Sequence, residues 1–506
     1  MSLKQNTVAN YCGRLYIILI AITMLPFYLQ YLGAAAFGLI SLYAVMQSWL
    51  SLFDMGLTST LSREVSYYHS QENGFLKIKA LLHSFEIIFL IINFLIIIGV
   101  TFSSHWIAYH WLKVQDLNYS EVIFCITIMG IMISFRWFSD LYRAGISGVE
   151  KQVWINSVSI VLTTLQYGGA YVLLRWVTSA PIHFFEYQLI IAAIEPILLG
   201  IRFYKIMPNQ SQVVHFKISW EIMKKIFPFA SSFFYLGLIW TLLTQLDKLA
   251  LSHILPLTTY GYFALVTVIS GGMLQFSAPI CLALLPKMTR LLSQGKNHEM
   301  LMLYRNATQM IAVIMLPLAG IIALFSTEIV FVWTGNKVAA EWAGPILFWY
   351  ALGNGIAAIS AFQYYLQFAH GNLKLHVIFN TLFAIIAIPL IFFTAYHYGA
   401  KGTAVTWFLM NAISFLIWPP IVHRKYAPGI HRIWMLNDIF PIFLTVILAL
   451  LCIKLIPINF RLMDRAEGFT ILSGFSLFVL TASILASSTC RDFLVEIIQH
   501  KKELKV

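Results

Sequence analysis

Charge is scarce in this chain of 506 residues, with Asp, Glu, Lys and Arg together making up 11%. A soluble domain carries about twice that density, which argues against a surface that faces water throughout. Cysteine is scarce as well. Cys12, Cys125, Cys281, Cys452 and Cys490 show no paired spacing in an exposed loop, so neither a disulfide framework nor a thiolate metal site is indicated. No metal and no cofactor is expected. Long polar connections are also missing: the longest, about residues 103–120 and 205–227, leave no room for a soluble domain.

What the chain has instead is hydrophobic runs. Hydrophobic residues make up 59% of it and the mean hydropathy is +0.79. A helix needs about 20 apolar residues to cross roughly 30 Å of hydrocarbon. Fourteen stretches qualify, near 11–31, 36–61, 81–102, 121–145, 154–176, 184–204, 228–252, 259–286, 306–333, 343–368, 375–396, 402–421, 438–457 and 468–489. The expected class is an all-α polytopic membrane protein. A closed β-barrel would alternate apolar and polar residues, whereas LIINFLIIIGV (90–100) is apolar except for Asn93. The first stretch follows MSLKQNTVAN and runs past Pro26 into the second without a small-residue cleavage site. It reads as a retained span, not a secretion signal.

Net charge is +12, and its distribution decides what it means. The N-terminus, the loops after spans 2, 4, 6, 8, 10 and 12, and the tail hold 24 Lys and Arg, against 7 in the opposite loops. That asymmetry is the positive-inside rule and places both termini in the cytoplasm. The basic excess is therefore topological, and nucleic acid is not an expected partner. After Cys490, Phe493, Leu494, Ile497 and Ile498 fall at helical spacing, which suits either an amphipathic helix on the inner leaflet or a solvated tail.

One internal offset aligns the chain with itself twice. Leu32, Phe37, Gly38, Leu42 and Phe53 match Leu255, Tyr260, Gly261, Leu265 and Phe276 at a shift of 223 residues, and Tyr142, Gly148, Lys151 and Ile155 match Tyr365, Gly371, Lys374 and Ile378 at the same shift. The shift carries span 2 onto span 8, so the repeat is six helices long. An even number of crossings preserves orientation, giving parallel repeats about an axis along the membrane normal. The expected division is an N-terminal lobe over 1–205, a cytoplasmic linker over 206–227, a second lobe over 228–421, and two extra helices with the tail over 422–506. Two such lobes with a cleft between them have the geometry of a carrier.

The stretch YLQYLGAAAFGLISLYAVMQSWLSLFDMGLTSTLSREV (28–65), with QLDKLALSHILPLTTYGYFAL (245–265), resembles the Wzx-type polysaccharide (O-antigen) repeat-unit flippases. These belong to the multidrug, oligosaccharidyl-lipid and polysaccharide exporter superfamily. The resemblance implies movement of an undecaprenyl-diphosphate-linked oligosaccharide from the cytoplasmic to the periplasmic leaflet of a bacterial inner membrane, coupled to an ion gradient. It also implies membrane lipids, a polysaccharide polymerase and a chain-length regulator as partners.

Ionisable side chains at bilayer depth cost about 2.5–3.5 kcal/mol each on insertion scales, so each needs a partner or a wet cavity. Arg14, Asp54, Glu86, Arg136 and Asp140 all fall in the cytoplasmic half of spans 1 to 4. They form either a buried ion-pair network or a site in which Arg14 and Arg136 grip the diphosphate bidentately. Arg136 and Asp140, four apart on one helix, also suit an intrahelical pair. Asp54, in SLFDMGL, either bonds a helix terminus or Arg14, or meets substrate. Glu86, with His83 one turn before it, and Glu195, where Pro196 is expected to break span 6, are candidate ion-coupling groups, with Asp140 a third. Asp247 and Lys248, near the outer end of span 7, border the cleft by the resemblance, as an outer gate or as an interfacial pair. Spans 9 to 12 offer only polar groups such as Asn354, Gln363, Gln367, Asn380 and Asn411, suited to sugar hydroxyls or to helix packing.

Three rivals remain. A polysaccharide polymerase or membrane glycosyltransferase needs acidic residues on an extended loop, which this chain does not offer. A multidrug or cation antiporter and a peptidoglycan-precursor flippase, both of the same superfamily, differ in cargo and not in architecture.

Overall fold

A bilayer offers no hydrogen-bond partner to an open backbone, so apolar runs without alternation close their bonds internally as helices. The computed structural model describes residues 3–69, 71, 74–207, 220–275, 278–460 and 463–493. Among these residues the only β-structure is an isolated bridge between Lys113 and Pro256. The tail beyond 493, most of the 205–227 connection and Phe276 of the repeat lie outside the described residues.

The chain forms two compact units, Met1–Gly261 and Tyr262–Val506. The first holds α1 (Leu3–Leu50), a short tight turn (Ser51–Asp54), α2 (Leu57–His69), α3 (Gly74–Trp106), α4 (Tyr119–Gly148), α5 (Gln152–Thr164), α6 (Ala170–Trp176), α7 (Pro181–Ile206), α8 (Trp220–Ile254) and the opening of α9 (Leu257–Gln275). The second holds the rest of α9, then α10 (Ala278–Ser293), α11 (Asn297–Leu324), α12 (Ser326–Thr334), α13 (Lys337–Ser360), α14 (Phe362–Ala369), α15 (Lys374–Tyr426), the single turn α16 (Ile430–Ile433), α17 (Phe440–Lys454) and α18 (Arg465–Ala486).

Ten helical segments among the described residues are long and apolar enough to cross a membrane, which makes this a multi-pass membrane protein. Two of the ten are interrupted where loops were expected. Gly33 breaks α1 between spans 1 and 2 with φ 79°, and Gly399 breaks α15 between spans 11 and 12 with φ 57°. Positive φ costs an L-residue with a Cβ and costs glycine little. Expected spans 6 and 7 correspond to α7 and α8, of 26 and 35 residues. Neither is among the ten.

In the first unit α4 is central, packing on α2, α3, α5 and α7. Its buried Val122, Cys125, Ile126, Met129 and Ile133 recur every three or four residues, the stripe a helix needs to face neighbours. Since lipid is as apolar as leucine, such contacts rest on van der Waals fit more than on the hydrophobic effect. The opposite sort of surface lies on α3, where Leu90, Ile91, Phe94 and Leu95 are left uncovered by protein, as hydrocarbon requires.

The segment after α3 is strapped to the corner between α8 and α9. Leu257 donates its N–H to the Lys113 carbonyl at 3.0 Å, Lys113 Nζ donates to the Ile254 carbonyl at 2.7 Å, Trp111 Nε1 donates to Ser252 Oγ at 2.9 Å, and the Thr258 hydroxyl donates to Asp116. Beside this corner α1 and α9 cross at two glycines. A Cβ on Gly38 would stand 2.4 Å from the Leu257 carbonyl oxygen, and one on Gly261 would stand 2.0 Å from that of Ala34. The same shift of 223 residues carries Gly38 onto Gly261 and Ala34 onto Leu257.

In the second unit α11 packs on α10, α13, α17 and α18. Polar side chains join them. Asn354 accepts from Trp407 Nε1 at 2.8 Å and donates to the Ser270 carbonyl at 2.6 Å. Gln309 on α11 donates to Asp438 at 2.8 Å and accepts from Ser487 Oγ at 2.8 Å. Arg305 grips Asp438 with two parallel bonds of 2.7 and 2.8 Å. These bonds tie α17 and α18 to the helices before them.

Candidate functional site

Arg143 is the hub of the first unit's charges, and the sequence reading passed over it. It follows Asp140 by one turn on α4, which explains the 4.0 Å contact between the two. On its other side it pairs with Glu195 of α7, and its Nη1 donates to Ser159 Oγ of α5 at 2.8 Å. Asp140 was expected to pair with Arg136, four residues earlier; its ion-pair partner is Arg143. The reason is orientation, since Asp140 is exposed while Arg136 turns inward beside Tyr43, Tyr167 and Glu195. Pro196 was expected to break span 6, but α7 runs through it from Pro181 to Ile206. A proline removes one internal bond; the carboxylate beside it bonds Arg143 and does not depend on a freed carbonyl.

Two cavities meet at this hub. One, of about 390 Å³, is lined by Tyr43, Gln47, Arg136, Gln166, Gln188 and Glu195 among others, with Arg143 at its edge. Tyr43 Oη and Arg136 Nε are buried beside each other, and Gln188 Oε1 is buried without a hydrogen-bond partner. Buried polar atoms are rarely left unpaired, and the amide oxygen of Gln188 lines this hollow. The other, of about 510 Å³, is lined by Asp54, Thr58, Asp140, Arg143 and Ser147. Asp54 accepts from the Thr58 N–H at 3.2 Å and from its hydroxyl at 2.9 Å. It thereby satisfies one of the orphan donors at the start of α2, with Met55 and Gly56 between them at positive φ.

The remaining candidates stand apart. Glu86 is buried and accepts from Tyr142 at 2.8 Å and from Tyr204 at 2.8 and 2.9 Å. Lys248 pairs with its neighbour Asp247 at 3.3 Å and also donates to the Thr244 carbonyl. Arg14 is exposed on α1 and lines neither cavity.

A family model described as polysaccharide biosynthesis protein matches residues 3–292. The chain belongs to that family. A Shigella flexneri protein named as an O-antigen transporter is 21% identical over 423 residues, covering 82% of this chain and 97% of that one. Among solved structures, the lipid II flippase MurJ in an inward closed conformation has a TM-score of 0.70 at 15% identity, covering 97% of this chain and 99% of the other. An inward-facing multidrug resistance transporter of the MATE family has a TM-score of 0.59 at 12% identity, covering 81% of this chain and 96% of the other. At such identities the structural likeness shows the fold, and these relatives are transporters and flippases, not enzymes.

In this polysaccharide biosynthesis protein the match covers the whole first unit, so Arg136, Arg143, Asp140, Asp54 and Glu195 all lie inside the region that defines the family. Arg143 was missed because it sits near the C-terminal end of span 4, where a charge reads as part of the following loop. The signal was there, since Asp140 and Arg143 are three apart, as suited to one helix face as the pair at four. Arg305 and Asp438 were missed for a plainer reason. They are 133 residues apart, and no local pattern joins them.

Proposed function

We propose that this protein carries an oligosaccharide linked to undecaprenyl diphosphate from the cytoplasmic to the periplasmic leaflet of a bacterial inner membrane, by alternating access coupled to an ion gradient. Both termini are cytoplasmic, and the lobes are residues 1–205 and 228–421 with the linker 206–227 between them and helices over 422–506 added. The observation that carries this reading is the 390 Å³ cavity, where Arg136 and Arg143 face one carboxylate, Glu195. The guanidinium of Arg136, buried beside Tyr43 and Glu195, is the group that a diphosphate or another anion would engage bidentately. Asp247 and Lys248 serve at the outer side, and Glu86, Glu195 and Asp140 are the carboxylates for ion coupling. Polymerase and chain-length regulator act on the delivered units.

Deleting the gene should trap lipid-linked oligosaccharide on the cytoplasmic leaflet while its synthesis continues. Arg136→Gln should abolish surface polysaccharide with the protein still in the membrane. If synthesis stops, an enzyme is at work; if only drug sensitivity changes, the cargo is a drug. The likeness to MurJ over 97% of the chain favours one second reading, a peptidoglycan-precursor flippase. In that case lipid II, not a polysaccharide unit, accumulates.

A further inference from the structure

Away from the first unit's cavities, the second unit holds four polar side chains in a row. Gln363 Nε2 of α14 donates to Tyr304 Oη of α11 at 3.1 Å, Tyr304 Oη meets His423 Nε2 of α15 at 2.8 Å, and His423 Nδ1 meets His431 Nδ1 of α16 at 3.1 Å. Tyr304, Gln363 and His423 are at most 1% exposed, whereas His431 is half-buried. Two Nδ1 atoms that bond each other must carry one proton between them. The directions then follow along the row. Tyr304 receives from Gln363, so its own O–H donates to His423 Nε2. His423 therefore carries its proton on Nδ1 and donates it to a bare His431 Nδ1. In this form Gln363 Oε1 is buried with no partner.

That idle acceptor is what a second protonation state requires. A proton added at His423 Nε2 turns that atom into a donor to Tyr304 Oη. The tyrosine O–H must then point elsewhere, and turning the Gln363 amide over places Oε1 where Nε2 was, ready to accept it. Every bond in the row is remade, the His423–His431 bond is untouched, and the cluster gains one positive charge. The charged and titratable groups facing it are His431 from α16, Asp438 from the turn before α17, and Arg305 of α11, which Asp438 holds together with Gln309. Arg424 and Lys425 of α15 are exposed, and His370 of α14 bonds its own helix at the Leu366 carbonyl.

We propose that Tyr304, Gln363, His423 and His431 form a proton-binding site, loaded at His423 and entered from the half-buried His431 end. That the bound proton is coupled to transport rests on the reading of function above; that the site binds one does not.

Trp434 reports on it, its ring standing edge-on 5.0 Å from His423 and stacked 6.1 Å from His431. Full-length protein labelled with 5-fluorotryptophan, purified in detergent and followed by 19F NMR between about pH 4 and 8, should show one resonance that titrates in a single step and vanishes in Trp434→Phe. His423→Gln should abolish the titration, and Gln363→Leu, which removes the waiting acceptor, should move its midpoint towards acid by about one pH unit. A Trp434 resonance that stays fixed in folded natural protein overturns the proposal. So does a titration that persists unchanged in both His423→Gln and Gln363→Leu. No cargo is present in this measurement, so a failed flipping assay with the titration intact counts against the proposed function and leaves the proton site standing.

Discussion

Arg143 shows how much one side chain decides in a low-dielectric setting. It holds Glu195, Ser159 and Asp140 at once, and it borders both cavities. Removing one partner of a buried pair is worse than removing both, because the charge left behind keeps its desolvation penalty. Glu195→Gln should therefore lower thermal stability in detergent, and adding Arg143→Gln should restore part of the loss. Rescue by Arg136→Gln in place of Arg143→Gln would mean that Arg136 is the true partner. Glu86 is a different kind of carboxylate, wrapped by two tyrosine hydroxyls that a charge-pair reading would not have supplied. Sequence reading found the partners of Asp54 and Asp247 but not those of Glu86, Asp140 and Glu195, since depth in the membrane follows from residue number and direction around a helix does not.

At the level of the helix, glycine is used here in two ways. Gly33 and Gly399 supply positive φ, and a Cβ at either would meet nothing within 4 Å; the constraint there is backbone alone. Gly38 and Gly261 supply closeness, since a methyl group on either would overlap a carbonyl oxygen of the other helix. Gly38→Ala and Gly261→Ala should each lower the melting temperature, and the double variant should lose less than the sum, because a crossing already pushed apart is pushed apart only once. Additive losses in differential scanning fluorimetry would contradict a shared crossing. The breaks at Gly33 and Gly399 were legible, because each falls between two apolar runs too long together for a single span. The tight turn over Ser51–Asp54 and the separate helix α2 were not. Ser51 to Leu57 is about as apolar as the end of α1 before it, and the turn is marked by Met55 and Gly56 at positive φ.

For the molecule as a whole, the last two long helices, α17 and α18, are structural members of the second unit. Arg305 and Gln309 are satisfied by Asp438, Ser487 and Ser488, so a chain ending after Gly429 leaves a guanidinium and an amide without partners. That truncation should lose monodisperse folded protein, and Arg305→Leu with Gln309→Leu in the truncated chain should recover part of it, as judged by size-exclusion chromatography. Recovery by the truncation alone would show the helices to be dispensable. The all-helical membrane class could be read from the sequence because long apolar runs are a signal that repeats along the chain. The bonds that fix α17 and α18 could not, being single contacts between residues 129 to 179 positions apart. The crossing at Gly38 and Gly261 has one more meaning. Each glycine faces a carbonyl of the other helix one turn before the opposing glycine, so a side chain gained at either one would have to move both helices at once.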